Sequence, residues 1–126
     1  ATITPKFSTS KILVIMNLLV GASADTTIAG TIERGSTPIG IADARGSRTR
    51  NTFGCGIPAS GGAWRTHSVS RILVDSPVTT NATTYSIKIG GNGGQTVYIN
   101  RESRDSDNAT DTTMGTSSLI LMEISA

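Results

Sequence analysis

The chain has 126 residues, enough for one compact domain that buries a core without disulfides or bound metal. Charged residues make up 16% and the formal net charge is +2, which excludes a disordered polyelectrolyte and the concentrated basic stripe of a duplex-binding protein. The single cysteine excludes an intrachain disulfide and a thiolate zinc site, and two Tyr, two Phe and one Trp leave little for base stacking.

In chain order, the opening TIT alternates like a short strand. KILVIMNLLV (Lys11–Val20) is apolar and partly β-branched and ends at Gly21, which favours a strand over a helix. It is about half the length that a membrane span needs, so no membrane insertion is expected. TTIAGTIERG (Thr26–Gly35) alternates, with Ile28 and Ile32 on one face. In STPIGIAD, Pro38 restricts the strand to an edge or a strand start. The stretch Ala42–Ala63 is too long for a tight turn, and its middle, RTRNTFGCG, has room for one more strand. HSVSRILVDSP (His67–Pro77) and TTYSIKIGG (Thr83–Gly91) alternate, the second with Tyr85, Ile87 and Ile89 together. The glycine-dense GGNGGQ then reads as a hairpin turn, with TVYIN (Thr96–Asn100) as the partner strand. SSLILMEIS (Ser117–Ser125) closes the series.

Eight short strands with polar turns and no capped 3.6-residue period predict an all-β, eight-stranded antiparallel sandwich, jelly-roll-like, in a single domain spanning residues 1–126. Two strands break the usual alternation. Ile12–Met16 and Leu119–Met122 are apolar on both faces, whereas an antiparallel sheet ordinarily solvates one. Such a strand needs a second cover, either another copy of the chain or the long loop. With a second copy as the cover, Ile12, Val14, Met16, Leu119 and Leu121 are the expected subunit interface.

Segment order adds a family resemblance. ATITPKFSTSKILVIMNLLVG, SRILVDSPVTTNATTYSIKIGG and GGQTVYINRESRDSDNATDTTMGTSSLILMEI together resemble the C-terminal domains of tailed-phage structural proteins, common in phages of aquatic bacteria, cyanobacteria included. Each phrase is weak by itself; the ordered series covers nearly the whole chain. The resemblance implies a jelly-roll homotrimer at the distal end of a tail fibre. That domain would be the C-terminal part of a longer virion protein, assembled in the bacterial cytoplasm. The implied role is host-surface attachment, with other virion proteins and host carbohydrate as partners. A head fibre or a capsid decoration protein is the alternative, and a polysaccharide-degrading enzyme a weaker one. The family carries no catalytic motif onto this chain.

Polar loops hold the candidate recognition residues. Arg45, Arg48, Arg50 and Asn51 form a cationic stretch suited to anionic groups. Asp105, Asp107, Asn108 and Asp111 form an acidic one. Counted from Asp105 as an EF-hand, the positions needing Gly and Glu hold Thr110 and Thr116, so that calcium pattern fails and no metal or other cofactor is expected. His67, Cys55 and Asp75 are the only histidine, the only cysteine and a nearby acid, but no nucleophile signature surrounds them. His67 is read as a packed strand residue and Cys55 as a core or near-surface thiol. Asn81 and Asn108 each begin an Asn-Ala-Thr sequon, which marks exposed loops.

Overall fold

A computed structural model describes residues 1–58, 65–107, 110 and 112–125. Among these residues nine strands make two antiparallel sheets: β1 (Thr2–Ile3), β2 (Lys11–Ala22), β3 (Thr26–Arg34), β4 (Thr37–Ile39), β5 (Phe53–Ile57), β6 (His67–Asp75), β7 (Thr83–Gly91), β8 (Val97–Ile99) and β9 (Ser118–Ile124). The first sheet runs β1-β7-β3, and β3 then pairs with both β4 and β5. The second runs β6-β2, and β2 then pairs with both β8 and β9. No α-helix occurs among the described residues, and no helix there is long and apolar enough to cross a membrane.

The core lies between the sheets. Ile12, Val14, Met16, Leu18 and Val20 of β2 meet Ile28 and Ile32 of β3 and Tyr85 of β7, and all are at most 5% exposed. The period of two in these strands puts the intervening residues outside. On the first sheet those outside residues are polar: Thr31, Glu33, Ser86 and Lys88. On the second sheet they are apolar, as described below.

The ninth strand is β5, in the middle of the long Ala42–Ala63 stretch, paired with β3 from Gly30↔Phe53 to Thr26↔Ile57. The expected hairpin between TTYSIKIGG and TVYIN does not form. β8 pairs with β2 through Val20↔Ile99, Gly21↔Tyr98 and Ala22↔Val97, in the other sheet. The cause is the glycine turn. Asn92–Gly94 makes a single 3-10 turn with Gly93 and Gly94 at φ 71° and 75°, and this turn carries the chain from one layer to the other.

The two sheets are tied at one end by a polar clamp. Arg34 and Tyr85 are register partners on β3 and β7. Asp75, at the end of β6 in the opposite sheet, accepts from both: Arg34 Nη1 lies 2.8 Å from each carboxylate oxygen, and the Tyr85 hydroxyl donates at 2.7 Å. Arg34 Nη1 also donates to the Ser76 carbonyl at 3.2 Å. Burial, and then the hydrogen bond and charge of Asp75, push the Tyr85 hydroxyl's pKa up.

Candidate functional site

Three surfaces carry features beyond folding: the outer face of the second sheet and two loops on opposite edges.

On the outer face the register lines up two apolar rows. Leu13 of β2 sits between Val74 of β6 and Met122 of β9, and Ile15 sits between Ile72 and Ile120. Ile124 extends the patch beside Lys11. Ile72 is 66% exposed, Val74 54% and Met122 53%, with Ile120 and Ile124 close behind. The patch ends in a polar row, Ser70–Asn17–Ser118, where the Ser70 hydroxyl donates to Asn17 Oδ1 at 2.8 Å. The described residues of the long loop leave this face exposed.

This placement corrects the expected interface residues. Ile12, Val14 and Met16 are fully buried in the sandwich, and Leu119 and Leu121 pack against the same core. Their odd or even neighbours, Leu13, Ile15, Ile120 and Met122, face out. The sequence held a signal for this: Asn17 shares the parity of Leu13 and Ile15, and a polar side chain in mid-strand marks the outward set.

The arginine loop joins β4 to β5 at the edge of the first sheet nearest β6. Arg45, Arg48 and Arg50 are exposed and Asn51 is half-buried. The loop is closed by Ala42 N–H donating to the Asn51 carbonyl at 3.2 Å and by Arg50 Nε donating to the Ala42 carbonyl at 2.6 Å. Arg50 and Asn51, with Lys88, Thr31 and Thr49, border a shallow groove of about 340 Å³ on the outer face of β3 and β7. Arg45 and Arg48 are not part of it.

The acidic loop lies on the other edge, where β8 and β9 follow one another along β2 and the chain leaves the sheet after Ile99 and rejoins it at Ser118. Its neck is pinned at Asn100, which adopts φ 66°. Asn100 N–H donates to the Leu19 carbonyl at 2.9 Å, Gly115 N–H donates to the Asn100 carbonyl at 2.9 Å, and the Ser117 hydroxyl donates to Asn100 Oδ1. A bridge pairs Arg101 with Met114. The loop can lie this close because Gly21 has no side chain; a Cβ there would stand 2.6 Å from the Arg101 carbonyl oxygen.

Within this loop, Asp105 and Asp107 border a cavity of about 380 Å³ together with Arg101, Glu102, Ser106, Thr112, Thr113 and Met114. Asp105, at φ 46°, pairs with Arg101 at 3.2 Å. The Arg101 guanidinium also lies over the Tyr98 ring, 4.3 Å from its centroid. Glu102 is 2% exposed, and its Oε1 has no hydrogen-bond partner among the described residues. Nothing in the sequence singles out Glu102, because a glutamate in a polar run reads as solvated. Asn108 and Asp111 lie outside the described residues. Among the described residues no three histidine, cysteine or acidic side chains form a set that could hold a metal ion.

His67 and Asp75 occupy opposite ends of β6, facing Val20 and, next to Ile12, the far end of β2. Eight strand residues span about 26 Å, so the two do not form an acid–base pair. Asp75 is committed to the clamp instead. His67 is half-buried beside a recess of about 660 Å³ bordered by Asp25, Thr26, Ile57 and Asn92, with a buried Nε2 that makes no hydrogen bond. Cys55 is half-buried against the core, and burial raises the thiol's pKa.

No family model matches the chain, and no curated protein matches it. The phage resemblance therefore rests on the order of its segments.

Proposed function

We propose that this domain is a self-associating virion domain of the fibre-tip type, a jelly-roll homotrimer that presents its edge loops to a bacterial surface. The observation that carries the reading is the outer face of β6, β2 and β9. Contiguous exposed apolar patches of this kind mark interaction surfaces. Here five large apolar side chains, 44% to 66% exposed, lie on β6 and β9, and the half-buried Leu13 and Ile15 of β2 join them into one patch. Three copies are what the resemblance implies. Three weak loop sites on one rigid body gain apparent affinity without new contacts. Other virion proteins, and host carbohydrate at the loops, are the proposed partners. A capsid decoration role fits the same face if the loops bind nothing.

The test pairs solution mass with binding to a panel of bacterial cells and surface polysaccharides. Trimers that bind cells through loop residues support the reading. Trimers that bind none of the panel support the decoration role, and a stable monomer removes both.

A further inference from the structure

We infer that the Glu102 cavity is a binding site for a primary ammonium group carried on a sugar ring. The inference rests on the attachment reading for its biological source. Its physical basis is the mismatch of charge around the cavity. Three carboxylates, Glu102, Asp105 and Asp107, face one guanidinium, Arg101. Arg101 is already engaged with Asp105, with the Glu102 backbone carbonyl at 3.2 Å and with the Tyr98 ring. That leaves Glu102, almost fully buried, with an unpartnered oxygen, and Asp107 exposed with no ion pair among the described residues. A buried carboxylate normally has partners for its oxygens, and each exception calls for an explanation.

Size and donor set favour an organic cation over a metal. The acids do not form a metal-binding set among the described residues, and about 380 Å³ is the scale of a small-ligand pocket. An ammonium group supplies three donors and does not need converging carboxylates: one can go to Glu102 Oε1 and the others to neutral acceptors or water. The rim suits the rest of a sugar, with Ser106 and Thr113 as polar partners for ring hydroxyls and the exposed Met114 as an apolar flank.

The experiment is titration of the purified chain with glucosamine, glucose, N-acetylglucosamine, methylamine and calcium chloride, followed by calorimetry or amide chemical shifts. Glucosamine should bind at least about tenfold more tightly than glucose, N-acetylglucosamine or methylamine, because a charge-assisted hydrogen bond adds to the hydroxyl contacts. Glu102→Gln should abolish that preference. Should Glu102→Gln fail to fold, the exposed Asp107→Asn carries the test and should weaken glucosamine alone. Equal binding of glucosamine and glucose, or a preference that survives both variants, overturns the proposal. Methylamine binding as well as glucosamine overturns the sugar, and calcium displacing glucosamine overturns the organic cation. Glucosamine binding by a domain that adsorbs to no cells leaves this site standing and removes the attachment reading. Adsorption without glucosamine binding does the reverse.

Discussion

The Tyr85 hydroxyl reaches across from one sheet to donate a 2.7 Å hydrogen bond to Asp75 in the other. Tyr85 is fully buried and Arg34 grips the same carboxylate, so three strands from two layers meet at one charge. A hydrogen bond to a charged group contributes about 1.5–3 kcal/mol. Tyr85→Phe should therefore lower unfolding stability by that amount in urea titration. Asp75→Ala should cost more, since it strands both the hydroxyl and the guanidinium.

The clamp also sets an alkaline limit. The Tyr85 pKa is raised in the fold above its ordinary 10.0, by burial and then by Asp75. Its contribution is fully present below pH 10 and is lost as the pH climbs past that value, because the unfolded chain then releases the proton more readily. Melting temperatures from pH 8 to 12 should fall more steeply for the wild type than for Tyr85→Phe. Parallel curves would show that Tyr85 does not titrate differently in the two states.

Much of this fold was legible because β3 and β7 alternate cleanly, and Ile28, Ile32 and Tyr85 face inward as their spacing requires. The partner of β8 was not legible. A glycine turn supplies positive φ for a hairpin and for a corner between sheets alike, and the choice depends on which edge of β2 is open. The parity of β2 was misread because both faces are apolar and hydrophobicity alone does not rank them; Asn17 was the one discriminating residue. Glu102 was illegible for a different reason. Its backbone lies against Gly21, eighty-one positions earlier, where a side chain would keep the loop neck off β2.

Gly21 offers a direct check on that packing. A Cβ there would meet backbone atoms of Arg101 and Glu102 at 2.6 and 3.1 Å, and backbone has little room to give. Gly21→Ala should cost about 1–3 kcal/mol and should shift the amide resonances of residues 100–102. An unperturbed spectrum would mean that the loop is not seated on β2.

The two loops make different predictions for ligand charge if they contact a surface. Arg48→Ala and Arg50→Ala should weaken binding to anionic polysaccharide, with wild-type binding falling as ionic strength rises. Asp107→Ala should weaken binding to neutral or amine-bearing sugar while leaving anionic polysaccharide alone. Arg48 and Asp107 are exposed, so replacing either should change stability by under about 0.5 kcal/mol. Circular dichroism melts check the fold, and cell-binding isotherms at two salt concentrations check the rest.

No metal or disulfide is assigned a part in holding the sandwich together. Chelator and reductant should each leave the melting temperature unchanged. A fall of roughly ten degrees with chelator would amount to a few kcal/mol in a domain of this size and would require a structural ion.

The outer face of the second sheet is the proposed subunit interface, while Ile12, Val14 and Met16 belong to the core. Sedimentation equilibrium at micromolar concentration measures this most directly, on the wild type, Ile72→Lys/Ile120→Lys and Met16→Ala. The wild type should show three times the 13.0 kDa chain mass. The double lysine variant should be a folded monomer. Met16→Ala should stay trimeric and lose about 2–5 kcal/mol of stability, the usual cost of emptying a core site. A wild-type monomer, or a trimer that survives both lysines, would contradict the account.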